Sequence, residues 1–392
     1  MQEREVEEMN ISGGFPRKIV FGRGSIESLP EVISDLGLSG SCMLVTGRSF
    51  ARSSGYLDWL RNLLERAGVK KTVIFDKVEP NPSVKIVDEG GRIALEQDVD
   101  FVVGFGGGSA LDTAKGIAVI AAAGGGSISN HFYPPEVKQA VLPIIAIPTT
   151  CGTGSEVTRY AIISEAKKKN AVRGDSLIPI AAILDSEVLK YLPRDILAHT
   201  TMDALSHAIE SCFHIKSSEM TFMFSAEALR TIFENFTQAY DGDLYCREKL
   251  FYASMLAGLS INFSGTVVVH ALGYYLTEEY GIPHGLANAF FLPGFIEYCL
   301  EKVPERITSL CRRIGIASND PAECSQILIG KINEIRHYAK MPLSLLKAGV
   351  PESEFDNLVE ECLYYKRNIE ACIVPPDRAD VERIIRSAFM GL

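Results

Sequence analysis

Phe101-Val102-Val103-Gly104-Phe105-Gly106-Gly107-Gly108-Ser109-Ala110-Leu111-Asp112-Thr113-Ala114-Lys115 begins as an apolar run, breaks at three successive glycines and resumes as a helical pattern to Ala123. A strand that feeds a glycine turn and then a helix N-terminus is an anion-binding arrangement. Glycines let main-chain N–H groups approach a phosphate closely, and the helix dipole adds favourable potential. The turn is not a GxGxxG, and alone it reads equally as a tight strand-to-helix connection. Ile147-Pro148-Thr149-Thr150-Cys151-Gly152-Thr153-Gly154-Ser155-Glu156-Val157-Thr158 supplies a second turn after another apolar strand. It gathers small residues and hydroxyls in one loop, although hydroxyls also cap local backbone. Two such loops at the carboxyl ends of parallel strands lie where open α/β sheets bind nucleotides.

Outward from these turns, the first half of the chain alternates strands with helices. Strands are predicted at Lys18–Phe21, Cys42–Thr46, Thr72–Phe75, Phe101–Phe105, Leu142–Ile147 and Ile180–Leu184, with helical stretches such as Tyr56–Ala67 and Val84–Gln97 between them. Alternation of this kind implies crossover connections and a mostly parallel, Rossmann-like sheet. From Asp195 onward the strand signal fades. Long amphipathic patterns take over, including Ile196–Cys212, Met220–Ala239 and Glu248–Ile261. The expected architecture is α/β followed by all-α, with a dinucleotide-binding domain over residues 1–187 and a helical metal-binding domain over 188–392.

Composition narrows the function classes. The 392 residues are 47% hydrophobic and 22% charged, ordinary for a folded soluble enzyme. The 39 basic and 49 acidic side chains leave a formal charge of −10, and the longest basic run is Lys167-Lys168-Lys169. That balance argues against a nucleic-acid partner, which requires a concentrated positive face. Met1–Asn10 has no apolar core and does not read as a signal peptide, while the most apolar stretch, Ile117–Ala123, is too short to span a bilayer. Nine scattered cysteines with no CxxC pair fit reduced thiols in a cytoplasmic protein.

The second half carries a carboxylate and histidine constellation. In Thr200-Thr201-Met202-Asp203-Ala204-Leu205-Ser206-His207-Ala208-Ile209-Glu210, Asp203 and His207 lie four apart on a helical pattern, side by side on one face. His270 sits inside an apolar stretch and His284 follows Gly281-Ile282-Pro283 at a helix start. Taken singly, the pair is consistent with an ordinary ion pair, and each histidine with a hydrogen-bonded core residue. Together, one carboxylate and three imidazoles make an N3O site with borderline ligands, suited to Fe(II) or Zn(II). Such an ion can act as a Lewis acid on an alkoxide or carbonyl oxygen. A nucleotide loop in one domain and a metal site in the other point to redox at a hydroxyl-bearing carbon in the cleft between them. Phe263, Val267, Leu272, Tyr274 and Phe290 make the surroundings of the histidines apolar, which suggests a primary alcohol or aldehyde with a modest tail.

At these residues the chain resembles the iron-containing, or group III, alcohol dehydrogenases, which include lactaldehyde reductase and butanol dehydrogenase-like enzymes. The match runs from about Arg17 to the C-terminal helices. It is most specific at Gly106–Lys115, at Pro148–Thr158, at the Asp203/His207/His270/His284 spacing and in the loop Glu79-Pro80-Asn81-Pro82-Ser83. The resemblance implies a dehydroquinate synthase-like pair of domains, Fe(II) bound by those four residues, and hydride transfer between nicotinamide and a small alcohol or aldehyde. It implies that Gly107, Gly108 and Ser109 hold the pyrophosphate, with Asp112 at the same helix start. Thr149, Thr150 and Thr153 would line the cofactor beside Asn81, and Lys169 and Leu189 match positions on its ribose and nicotinamide sides. It also implies a homodimer or larger assembly.

Two departures bear on mechanism. Many members carry a proton-relay histidine four residues after the third metal ligand, where this chain has Tyr274, so the catalytic candidates are His270, His284 and Tyr274. NAD-linked members carry an acidic residue at the end of the second strand, where this chain reads Val45-Thr46-Gly47-Arg48-Ser49. Loss of the carboxylate and gain of an arginine predict NADP(H) in preference to NAD(H). The rival readings are a zinc-dependent polyol dehydrogenase of the glycerol dehydrogenase type, a lyase of the dehydroquinate synthase type and a nucleotide-sensing module without chemistry.

Overall fold

Residues 12–391 are described by the computed structural model, so the Met1–Asn10 stretch read above lies outside them. Six parallel strands form the sheet: β1 (Lys18–Phe21), β2 (Ser41–Gly47), β3 (Lys71–Val78), β4 (Phe101–Gly106), β5 (Ile144–Pro148) and β8 (Ala181–Leu184), in the spatial order β1-β8-β5-β4-β2-β3. The predicted start of β5 at Leu142 moves to Ile144 because Pro143 has no N–H for the ladder, although its carbonyl still accepts from Val102 N at 2.9 Å. Helices α1 (Leu29–Asp35), α2 (Phe50–Ser53), α3 (Tyr56–Arg66), α4 (Val84–Glu96) and α5 (Gly108–Ala122) flank the sheet. Strand residues alternate between the two faces. Cys42, Leu44, Phe101 and Val103 pack in the cluster that holds Leu60 and Leu63 of α3, while Met43, Val45 and Val102 pack with Ile86 of α4 and Ile117 of α5.

One hairpin carries no signal in the sequence. Strands β6 (Tyr160–Glu165) and β7 (Lys168–Arg173) pair antiparallel as a separate two-stranded sheet. Ala166 and Lys167 form its turn with φ of 48° and 60°, the left-handed pair that a two-residue hairpin turn demands. The turn lacks the Asn-Gly or Asp-Gly signal, and the lysine run conceals the alternation of buried Ala161, Ile163 and Val172.

The second half is helical throughout the described residues. It comprises α6 (Arg194–Cys212), α7 (Glu219–Asp241), α8 (Leu244–Phe263), α9 (Val268–Tyr280), α10 (His284–Lys302), α11 (Pro304–Arg313), α12 (Pro321–Tyr338), α13 (Phe355–Tyr364), α14 (Lys366–Glu370) and α15 (Arg378–Met390). One apolar cluster runs from Phe105 and Ile147 of the sheet to Leu205 of α6 and Leu272 of α9, so both halves share a core. Among the described residues no single helix is long and apolar enough to cross a membrane.

Candidate metal and cofactor site

Three helices converge on one point because glycines let them approach. A Cβ on Gly285 of α10 would stand 1.8 Å from the His199 carbonyl oxygen and 2.7 Å from Asp203 N on α6. A Cβ on Gly273 of α9 would stand 1.9 Å from Asn288 Oδ1 on α10. Gly281, at φ 64°, ends α9 in the left-handed conformation, and the turn to Pro283 starts α10 directly at His284.

The convergence brings all four predicted ligands together. His207 Nε2, His270 Nε2 and His284 Nε2 each lie 3.8 Å from Asp203 Oδ1. Donor atoms of Asp203, His270 and His284 fall within 4.8 Å of one another; His207 is not in that mutual group, and its ring stacks on His270 at 4.8 Å between centroids. Ligands about 2.1 Å from a tetrahedral ion stand roughly 3.4 Å apart, close to the 3.8 Å between each imidazole and Asp203 Oδ1. The cluster has the polarity of a cation site. Asn288 points its amide Nδ2 into it, 3.3 Å from Asp203 Oδ1, His270 Nε2 and His284 Nε2, while its own Oδ1 is buried without a partner. An N–H donor there stands in for positive charge among three acceptors. One carboxylate oxygen and three imidazole nitrogens therefore fit a borderline divalent ion.

Neighbours of these four side chains fix how the rings point. Glu210, fully buried on the same α6 face as Asp203 and His207, pairs with His270 Nδ1 and accepts from the main-chain N–H groups of Val267 (2.9 Å) and His270 (3.2 Å). A carboxylate on Nδ1 leaves the Nε2 lone pair for an ion. Thr277 donates its hydroxyl to the Gly273 carbonyl at 3.1 Å and lies 3.4 Å from His284 Nδ1, so it can accept that ring's N–H. Glu210 was not singled out from the sequence, although its place seven residues after Asp203 and three after His207 was the available signal.

The electrostatics follow from burial and pairing. Burial pushes the Asp203 carboxyl up, but His207, His284 and His270, with the Asn288 amide, together hold it below its ordinary value. Burial lowers His207 and takes His284 down to about 3. His270 goes the other way: burial lowers it, and Glu210 more than reverses that. Tyr274 stacks on His284 at 5.6 Å and 11°, and burial drives its hydroxyl well above the ordinary tyrosine value. Val267, Leu272 and Phe290 correct the sequence reading. They are enclosed in the core and offer a substrate no surface, and Phe263 packs instead on Phe15.

The two glycine and threonine loops meet at one rim of the sheet. Gly106 pairs with Pro148 across β4 and β5, so Gly107 and Thr149 open adjacent loops. A Cβ on Gly107 would stand 3.2 Å from Thr150 Cγ2, and one on Gly108 would stand 2.5 Å from Thr153 Cγ2. Ser109 lies in the first turn of α5 beside them. Asp112 engages both oxygens within the protein, accepting from Ser155 Oγ at 2.6 Å and from Ile162 N at 3.0 Å, so it braces the loops. Lys115 fills the layer beneath, donating to the carbonyls of Thr158 and Tyr160 at 2.8 and 2.7 Å. Leu189 has no exposed side-chain surface, and its carbonyl accepts from Arg247. At the end of β2, Gly47 faces open space, Ser49 is exposed, and Arg48 reaches Glu79 Oε2 at 3.4 Å. Asn81, with φ 53°, accepts from Lys169 Nζ at 2.8 Å.

Comparison with known proteins bears on this arrangement. The sequence profile of the iron-containing alcohol dehydrogenases matches residues 16–186, and the profile of that family's C-terminal part matches residues 197–389. The NADPH-dependent butanol dehydrogenase of Clostridium saccharobutylicum is 32% identical over 351 residues, 88% of each chain. A crystal structure of 1,3-propanediol oxidoreductase superimposes with a TM-score of 0.90 at 30% identity, covering 97% of this chain and 100% of the other. The NADH-dependent butanol dehydrogenase A of Thermotoga maritima gives 0.85 at 27% identity, covering 97% and 98%.

Proposed function

This chain belongs to the iron-containing alcohol dehydrogenase family, and we propose from that premise that it moves a hydride between NADP(H) and a small alcohol or aldehyde beside the Asp203, His207, His270 and His284 cluster. It is an NAD(P)-dependent oxidoreductase acting on CH–OH groups. The zinc-dependent polyol dehydrogenase and nucleotide-sensing readings gain no support from its relatives. The single observation that carries the proposal is the convergence of three imidazole Nε2 atoms at 3.8 Å from one carboxylate oxygen.

In this reading those four side chains hold Fe(II), with zinc as a substitute, and the ion supplies Lewis acidity to a substrate oxygen. Glu210 keeps His270 in the ligating tautomer, and Thr277 does the same for His284. The Gly106–Ser109 turn and the N-terminus of α5 receive the pyrophosphate, with Thr149, Thr150 and Thr153 along the cofactor. Tyr274 stays protonated, because burial removes it further from the range of a useful base. A proton leaving the substrate hydroxyl would therefore go to groups other than Tyr274, such as water or the hydroxyls of a bound cofactor. NADP(H) is favoured because Gly47 removes the acidic group that would repel a 2′-phosphate, while Arg48 and Arg52, 65% and 67% exposed, offer charge near it. We further place the domain boundary between residues 187 and 188, in the segment between β8 and α6. Nine free thiols, eight of them buried, support a cytoplasmic location, and the family resemblance supports a homodimer or larger assembly.

The test is chelation followed by reconstitution, assayed against a panel of short alcohols and aldehydes with both cofactors. Activity is expected to vanish with the metal and return with Fe(II). Full activity in protein shown by elemental analysis to be metal-free would overturn the proposal.

A further inference from the structure

Lys167-Lys168-Lys169 is the most basic run in the chain, yet it is not a free cationic surface. The β6–β7 turn carries it to the helical half, where each lysine meets a carboxylate. Lys167 Nζ lies 2.8 Å from Glu279 Oε2, Lys168 pairs with Glu361, and Lys169 Nζ lies 2.8 Å from Glu278 Oε1. The pairs differ in burial. Lys167 and Lys168 are 67% and 37% exposed, whereas Lys169 and Glu278 are 6% and 11% exposed.

An enclosed ion pair loses much of its attraction to desolvation and persists where further hydrogen bonds satisfy both ends. Here they do. Lys169 Nζ also donates to Asn81 Oδ1 at 2.8 Å and to Ser164 Oγ at 3.2 Å, the longer of the two being the bond that a cofactor hydroxyl would replace. Ser164 Oγ in turn donates to Glu278 Oε1 at 3.0 Å, and the Lys169 main-chain N–H donates to Tyr365 Oη at 3.0 Å. Glu278 follows His270 by eight residues and Tyr274 by four, which puts its carboxylate on the α9 face that carries a metal ligand and the relay position. Lys169 comes from the nucleotide half, and Asn81 from a cofactor loop of that half.

We propose that Glu278 is a positioning residue for the cofactor: it holds the Lys169 ammonium of the nucleotide half in register with the helix bearing His270, so that the cofactor ribose and the metal ligands are aligned through one side-chain bridge. The inference rests on the reading that Lys169 contacts the cofactor. A lysine has four soft torsions, and a carboxylate fixed on a neighbouring helix removes that freedom before the cofactor arrives. Nothing in the hydride chemistry passes through Glu278. Its effect is on where Lys169 points.

The experiment titrates NADPH fluorescence against full-length, metal-free protein in four forms: wild type, Glu278→Gln, Lys169→Ala and the double variant. Glu278→Asp serves as a charge-retaining control that stays interpretable if the glutamine protein unfolds. Glu278→Gln is expected to raise the NADPH Kd about tenfold, the decade that one charge-assisted hydrogen bond carries. Glu278→Asp should lose less, and adding Glu278→Gln to Lys169→Ala should cost under about twofold, because the two act as a unit. A merely structural bridge would instead lower Tm for Glu278→Gln alone, with little further loss once Lys169 is already alanine, and leave Kd unchanged. A Kd for Glu278→Gln within twofold of wild type, while Lys169→Ala weakens binding, overturns the inference and spares the cofactor reading. An unchanged Kd in Lys169→Ala overturns the Lys169 assignment, and this inference with it.

Discussion

Asp203 and His270 have side chains 5% and 4% exposed, whereas Arg48 and Arg52 at the end of β2 are 65% and 67% exposed. The first pair sits among three helices packed closely enough that a methyl group on Gly285 would collide with α6. The second borders open space, and a Cβ on Gly47 would touch nothing within 4 Å. In the cluster each group is held by another: Glu210 on His270, Thr277 on His284, Asn288 among the donor atoms. At the rim, Arg48 pairs with Glu79 and Arg52 with Asp76, but water screens these exposed pairs and each is worth little. Buried, interlocked groups give chemistry that fails as a whole, while exposed groups give a preference that shifts by degrees.

The largest expected effect lies in the cluster. Asp203→Ala removes the one anionic ligand and should abolish metal retention, lowering kcat/KM on the order of a thousandfold or more, several kcal/mol of lost charge stabilisation. NADPH binding, measured by fluorescence, should change little, since the nucleotide loops belong to the other half. Retained metal by elemental analysis would show that the cluster is less interdependent than its geometry requires.

One step outward, Glu210→Gln keeps the shape but removes the charge on His270 Nδ1. Metal affinity from competition with a chelator should fall about 10- to 100-fold, as for other groups that orient a ligating histidine. An unchanged affinity would mean that packing alone sets the ring.

The rim should respond more mildly. Wild-type kcat/KM with NADPH is expected to exceed that with NADH by about tenfold, and Gly47→Asp to erase or reverse the gap with metal content unaffected. Equal use of both cofactors by the wild type would remove the distinction drawn for this rim.

The smallest effect is expected at Tyr274, which stacks on His284 yet has a hydroxyl unsuited to proton transfer. Burial raises its pKa, so it stays protonated across the assay range and contributes no titration below its ordinary value of about 10. Tyr274→Phe should change turnover less than about threefold and leave the shape of the pH profile intact. Alcohol oxidation should rise toward alkaline pH without an inflection from a histidine outside the cluster. Loss of turnover with metal and cofactor binding preserved would make Tyr274 a direct participant.

Much of this site was legible in the chain because its signals are local. Gly106–Gly108 after an apolar strand, and Asp203 and His207 one helical turn apart, depend only on backbone geometry over a few residues. The β6–β7 hairpin was not legible, since its turn uses Ala166 and Lys167 where the favoured residues are absent. Val267, Leu272 and Phe290 were read as apolar surroundings of the histidines, but that they face the core was not legible, because an apolar residue near a histidine in sequence faces the core or the cleft according to helix rotation.

The alternation of strands and helices, the two glycine and threonine turns, and the side chains with the chemistry to bind a cation are all written in short stretches of chain. Periodicity and ligand type are properties of short segments and survive without tertiary context. Only the tertiary structure decided that His270 and His284, more than sixty residues beyond Asp203 in the chain, share its oxygen at 3.8 Å. It alone decided that Glu210 faces His270 and that Glu278 reaches back to Lys169. Those meetings depend on how closely α6, α9 and α10 approach. Glycines at their crossings set that approach, and a glycine's meaning is fixed by what lies opposite it.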